Sequence, residues 1–239
     1  SQLYLADGEG RNARRLETGR LDAQAPGFGP DGMRLVFSAS EEPLDADEAP
    51  EVHAALYRLD LRDPGAEPEL LLDDADADLV LPALSPDGRR LAYVRRDHDG
   101  SALWLADADG DNAEALDIDA GDLALRDPYW PAWSPDGERL AFSADVDGQS
   151  DVFSVDLDGG SLERLTEDPG EDRHPAWSPD GEQLAFSSDR SGSFQVYTMD
   201  DRGRDLEQRT TAADLLEAAR DADVLRQEAR VSRWPRPGE

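Results

Sequence analysis

The sequence predicts an all-β ring of four-stranded blades, a β-propeller, and three observations carry that reading. The heptapeptide Pro131-Ala132-Trp133-Ser134-Pro135-Asp136-Gly137 returns unchanged at Pro175 to Gly181, and in eroded form at Pro82 to Gly88 and Pro26 to Gly32. Each copy is followed in register by the same succession of short apolar runs and polar turns, enough for four strands per unit. The Asp of the motif falls at 31, 87, 136 and 180, a period of 44 to 56 residues, which is the length of a four-stranded blade.

The chain opens with half a unit. Leu5 to Leu16 aligns without a gap on Leu105 to Leu116, so residues 1–18 read as the third and fourth strands of a blade. Full units follow at 26–72, 82–116, 131–166 and 175–210. Within each, Ser-Pro-Asp-Gly is a hairpin turn: Pro presets φ, Ser and Asp bond nearby amides, and Gly takes the left-handed position. The runs after it, Arg34 to Ser38, Arg90 to Val94, Arg139 to Ser143 and Gln183 to Ser187, are apolar enough to be buried on both faces of a sheet. Equivalent burial is expected for Trp133 and Trp177.

Two stretches break the repeat. Ser40 to Glu51 is an acidic, Pro-containing insertion expected to be a solvated loop. In 211–230, Thr211 and Asp214 form a capping pattern and Leu215, Ala218, Ala219, Ala222 and Leu225 share one face, predicting an amphipathic helix. Residues 231–239 keep the Trp-to-Gly spacing of the motif and read as a closing strand. Measured by the repeat, Glu239 corresponds to Arg89 and Ser1 to Ser101, which leaves one strand missing between the ends. The ring therefore has five blades or is part of a six-bladed or larger one, within a single domain spanning 1–239.

Composition narrows the partners. There are 24 basic residues, all of them Arg, against 55 acidic ones, a net charge of −31. Such a field repels nucleic acid and anionic membranes, as expected of a halophile-type surface or of an Arg-biased genome. With no cysteine, thiol and disulfide chemistry is absent. No run reaches the ~20 apolar residues of a membrane-spanning helix.

The units Pro-Ala-Trp-Ser-Pro-Asp-Gly-Glu at 131–138 and 175–182, each followed by Leu-Ala-Phe-Ser and then by Asp145 or Asp189, resemble the TolB-like, WD-repeat-like propeller repeat family over most of the chain. The resemblance implies a propeller. It also implies a periplasmic or extracellular, non-catalytic scaffold with a protein partner. The same repeat builds the substrate-gating propeller of prolyl-oligopeptidase-like serine peptidases, whose catalytic domain would then be absent from this chain. A third reading is a small-ligand or calcium site in the central channel.

Motifs that suggest chemistry are weak here. Gly8-Glu9-Gly10-Arg11-Asn12-Ala13 satisfies a dinucleotide fingerprint, but the repeat places it in a turn between strands, where no helix can follow. Asp145, Asp147 and Asp151 around Gly148 are calcium candidates. Their counterparts are Asp97-His98-Asp99-Gly100 and Asp189-Arg190-Ser191-Gly192, the latter with Arg at a ligand position. Only His53, His98 and His174 are present, and no Gly-x-Ser-x-Gly elbow occurs, so no catalytic residue is assigned and no cofactor is expected.

Topology still singles out a rim. Ser-Pro-Asp-Gly turns and Asp/Gly turns fill one edge of an up-and-down ring, while second-to-third loops and blade connections fill the other. On that irregular rim collect Arg126, Tyr129 and Trp130, with Arg173, His174, Asp189 and Arg190 in neighbouring positions. Arg and aromatic side chains anchor interfaces, so this set is the expected partner-binding surface.

Overall fold

The computed structural model describes residues 1–41, 53–211 and 213 of the chain. Of the helix expected at 211–230 only Thr211 and Ala213 are among them, and the closing strand expected at 231–239 lies outside them. Every regular sheet is antiparallel. A two-stranded sheet of β1 (Tyr4–Leu5) and β2 (Arg14–Arg15) comes first. Four four-stranded blades follow. Blade one holds β3 (Leu21–Phe28), β4 (Arg34–Glu41), β5 (Ala55–Asp60) and β6 (Glu69–Leu72). Blade two holds β7 (Asp78–Leu84), β8 (Arg90–Asp97), β9 (Gly100–Asp107) and β10 (Glu114–Ala115). Blade three is β11 (Arg126–Trp133), β12 (Arg139–Val146), β13 (Gln149–Asp156) and β14 (Glu163–Arg164). Blade four is β15 (Asp172–Trp177), β16 (Gln183–Ser188), β17 (Gln195–Asp200) and β18 (Glu207–Gln208).

Strand order is sequential in every blade, so β3, β7, β11 and β15 form neighbouring inner walls. Each of these begins four or five residues before the Pro expected to open it, or three before Pro175. The lead-in residues pair with the next strand, as in Leu21 with Glu41 and Asp22 with Ser40. Ser40 and Glu41 therefore belong to β4 rather than to the acidic insertion, the rest of which lies outside the described residues.

The second strands of blades one to three form the buried layer, whereas the burial on both faces expected for Gln183 to Ser187 is not met in blade four: Leu184, Phe186 and Ser188 are buried, but Gln183, Ala185 and Ser187 are not. Leu35 to Ala39, Leu91 to Val94 and Leu140 to Ala144 are all buried, because sheets of adjacent blades cover both of their faces. In every blade one aromatic pair spans the second and third strands at the same register: Phe37–Tyr57, Tyr93–Trp104, Phe142–Phe153 and Phe186–Tyr197, with ring centroids 5.7–6.3 Å apart. Offset rings at this spacing add to simple area burial.

The turns follow their residue chemistry. In blade three Gly137 N donates to Ser134 O at 2.9 Å, Gly137 sits at φ 72°, and Arg139 N donates to Ser134 Oγ at 2.9 Å. Ser85, Ser134 and Ser178 each donate from Oγ to the motif Asp at 2.5–2.6 Å. Those bonds hold Asp87, Asp136 and Asp180 below the ordinary carboxylate range. The half blade reproduces the backbone turn between β9 and β10: Asp7 N to Arg11 O at 2.9 Å matches Asp107 N to Asp111 O at 2.8 Å, and Asn12 and Asn112 have φ of 56° and 55°. The Gly8 to Ala13 fingerprint is thus a turn, as expected.

The two motif tryptophans are not equally buried. Trp133 is 8% exposed and its Nε1 donates to Ala83 O at 2.9 Å. Trp177 is only half-buried and its Nε1 has no partner. Both lie under an Arg of the preceding blade, with Arg90 5.2 Å from the Trp133 ring and Arg139 4.7 Å from the Trp177 ring. The difference follows position: blade three is flanked by blades two and four, whereas no described blade lies beyond blade four.

Candidate functional site

The inner strands share a distortion at one place. Ala25, Leu81, Trp130 and His174 lie at φ of 48°, 55°, 56° and 58°, and each precedes a Pro. At each the pairing with the second strand shifts register. Such a bulge re-aims a side chain. A left-handed backbone is rare for residues as large as Leu and Trp and persists only where the surroundings hold it. Here it brings the Trp130 ring to 4.5 Å from that of His174, joining blades three and four at the wall.

Beside this pair runs a hollow of about 660 Å³ along blades one to three, walled by Pro26, Leu81, Pro82, Trp130, Pro131 and Trp133 among others. It reaches the first-to-second turns, where Phe28 at 56% exposure, Pro30 and Pro86 form its outer lip. A second hollow of about 430 Å³ lies on the irregular rim between Asp97-His98-Asp99 and Tyr129 with Asp127.

A profile of the TolB beta propeller domain matches residues 46–222. The chain belongs to this family. A protein of Agrobacterium tumefaciens described as a TolB is 27% identical with a TM-score of 0.71, over 89% of this chain and 70% of that one. TolB from Acinetobacter baumannii is 21% identical with a TM-score of 0.67, over 87% of this chain and 48% of that one. A puromycin-hydrolyzing peptidase of Mycobacterium tuberculosis is 21% identical with a TM-score of 0.65, over 88% of this chain and 35% of that one. The last two likenesses show the fold alone, and this chain spans half or less of either protein. No curated protein matches the chain.

Within this TolB-type propeller the expected rim residues divide into two groups. Trp130, 38% exposed, lines the hollow, His174 is exposed against its ring, and Arg126 is exposed at the start of β11. His174 Nδ1 lies 2.9 Å from Ser187 Oγ, and burial, with Arg173 beside it, lowers its pKa. Tyr129 is half-buried, with its hydroxyl bonded to Ser150 Oγ. Arg173 donates from Nη2 to Glu171 at 2.7 Å. Asp145 is pushed up by its burial and by Glu171 and Asp127 nearby.

The second group is structural. Arg190 pairs with Asp168 and with the fully buried Asp172, and lies over the Phe186 and Tyr197 rings at 5.3 and 5.0 Å. Asp189 Oδ1 accepts from Glu171 N at 2.8 Å. These two residues tie the connection between blades three and four onto blade four, because a buried carboxylate requires a charged partner. They are not part of a free binding surface.

The calcium candidates do not converge. Asp145 pairs across the hairpin with Ser150, whereas Asp151 pairs with Ala144, and cross-strand partners share a face. Asp145 and Asp151 therefore point to opposite faces of the sheet, with Asp147 in the turn at φ 54°. Asp151 is buried and accepts from Arg164 Nη2 at 2.5 Å and from Thr166 Oγ1 at 3.2 Å. Among the described residues, three or more ligand-capable groups come within 4.8 Å of one another only at Asp97, His98 and Asp99. There Asp97 is committed to Arg95 and to the amide of Asp99.

The sequence pattern did not disclose the bulge or the hollow. The available signal was the Pro that ends each first-strand lead-in, at 26, 82, 131 and 175.

Proposed function

We propose that this propeller is a non-catalytic protein-binding scaffold acting outside the cytoplasm, with Trp130 and His174 at the centre of its contact surface. One observation carries the reading. A large aromatic ring is held half-exposed on a left-handed backbone against a second ring, at the edge of an apolar hollow. Packing alone does not require that arrangement, and exposed aromatics beside a pocket are typical interface anchors.

The test is affinity capture from the envelope fraction of the source organism. A discrete partner retained by the native chain should be lost on Trp130→Ala with His174→Ala. Anchors of this type lose on the order of 2 kcal/mol, about thirty-fold in affinity. The melt should move by less than about 2 °C. Undiminished capture, or a collapse of the melt, would remove the basis of the reading.

The likeness to the puromycin-hydrolyzing peptidase favours a second reading, a substrate-gating domain of a larger hydrolase. Finding a Gly-x-Ser-x-Gly segment encoded beyond Glu239 would decide for it.

A further inference from the structure

The rim of repeated turns, opposite the irregular one, has a surface of its own. The 660 Å³ hollow opens there, past Phe28, Pro30, Leu84 and Pro86. Beside its lip stand Asp31 and Asp87, next in the chain to Pro30 and Pro86, and Asp136, whose neighbour Gly137 faces Pro86; these three turn aspartates and Asp180 of blade four are exposed. One oxygen of each holds its turn, as where Asp87 Oδ1 accepts from Ser85 Oγ at 2.6 Å and from Arg89 N at 3.0 Å. The other oxygen accepts no hydrogen bond among the described residues, except in Asp31, where Arg34 and Arg62 meet it.

Charge on this rim is unbalanced. Among the described residues Asp87, Asp136 and Asp180 form no ion pair within 4.0 Å, although Arg89 and Arg90 lie near Asp87 and Arg139 near Asp136, and Glu138 and Glu182 are exposed beside two of them. The nearby cations are largely occupied: Arg90 lies over Trp133 and donates to Gly137 O at 3.0 Å, and Arg139 lies over Trp177 and pairs with Asp201. Arg89 is exposed, as is Arg62 where it pairs with Asp31. The irregular rim, by contrast, interleaves Asp145 and Glu171 with Arg126 and Arg173.

An apolar hollow with a fixed acidic lip selects a ligand that is apolar and cationic at once. We infer that the turn rim takes a linear segment of another protein in which a large apolar residue stands within one or two positions of Lys or Arg. The apolar side chain enters the hollow beneath Trp130, and the cations meet Asp87 and Asp136. The spacing follows from the structure, since Pro86 of the lip is adjacent to Asp87 in the chain, and an extended segment advances ~3.3 Å per residue. The net charge of −31 steers such a segment toward the molecule. This contact shares Trp130 and the hollow with the capture surface proposed above, and it adds the acidic lip, which the variants below test without touching Trp130 or His174.

The test is calorimetric titration of the described chain with short synthetic peptides of one length. One carries Leu flanked by Arg, one Leu flanked by Glu, and one Ser flanked by Arg; dodecylamine serves as a non-peptide cation. The first should bind, and the other two should be weaker by about ten-fold or more. In the protein, Asp87→Asn with Asp136→Asn keeps an acceptor in each turn and removes the charge, and should weaken the first peptide about ten-fold. Phe28→Ser should do the same without disturbing a buried position. Equal binding of the Arg and Glu peptides overturns the inference without touching a folded residue of the protein. Equal binding of the Ser peptide reduces the contact to net charge, and equal binding of dodecylamine removes the protein segment as the ligand; either result overturns it too.

Discussion

The two rims of the ring are built from the same four blades, yet they use their residues in opposite ways. On the turn rim each blade repeats one solution. Ser Oγ and the backbone fix Asp87, Asp136 and Asp180 alike, and Gly88, Gly137 and Gly181 take φ of 69°, 72° and 75°. On the irregular rim no two blades agree: blade two ties Arg95 to Asp74 and Asp97, blade three ties Arg164 to Asp151, and blade four ties Arg190 to Asp168 and Asp172. Repetition on one rim thus reports backbone geometry. Variation on the other is in large part private structural wiring, so irregularity by itself is a poor marker of function.

The contrast can be broken most severely at a glycine. Gly159, in the third-to-fourth turn of blade three, has φ 75°, and a Cβ there would stand 1.8 Å from Asp117 O. Gly137 has the same backbone with only Pro86 Cδ at 3.7 Å. Gly159→Ala should therefore destabilise by about 3 kcal/mol or more, through overpacking added to backbone strain, and Gly137→Ala by about 1–2 kcal/mol. Denaturant midpoints for the pair check this; similar losses would mean the connection at Asp117 yields.

On the irregular rim, Arg190→Ala leaves the buried Asp172 carboxylate without its charge partner and should cost about 3 kcal/mol. Arg126→Ala, on the same rim but exposed, should stay within about 0.5 kcal/mol. Thermal melts of the two variants measure how far the wiring and the free surface differ. A silent Arg190→Ala would return that residue to the candidate binding set.

The smallest effect sharpens the account of the turns. Ser134→Ala removes the hydroxyl that bonds Asp136 and Arg139 N, at about 1 kcal/mol. Because Asp136 is held below its ordinary value of 3.8, its share of stability is present above the unfolded pKa and is lost as pH falls through the folded one. The difference between native and variant should therefore be full at neutral pH and smaller below about pH 4. Proton titration of Asp136 by NMR should move upward in the variant.

Much of the fold was legible because its determinants are local. Pro, Ser, Asp and Gly at fixed offsets can satisfy a turn within seven residues, so the heptapeptide read correctly in three blades, and with Gly29 for Ser even in the first. The offset of 100 between the half blade and blade two transferred the backbone turn for the same reason. The candidate site was legible only in part. Trp130 and His174 were picked out by residue type, but their contact joins two blades 44 residues apart and depends on bulges that the chain does not announce. Asp189 and Arg190 looked free because their partners, Glu171 in the blade connection and Asp172 at the start of β15, lie 18 residues back in the chain.

The sequence by itself determined the repeat, the turns, the buried second strands of blades one to three and the family, since each rests on interactions among residues near in the chain or on a periodic apolar pattern. Only the tertiary structure decided which polar residues are spent. A carboxylate such as Asp151 and a guanidinium such as Arg190 are functional candidates while solvated, and become structural once burial removes water and a partner from elsewhere in the ring replaces it. The hollow, too, exists only where the inner strands of three blades meet, a distance relation that no local pattern encodes.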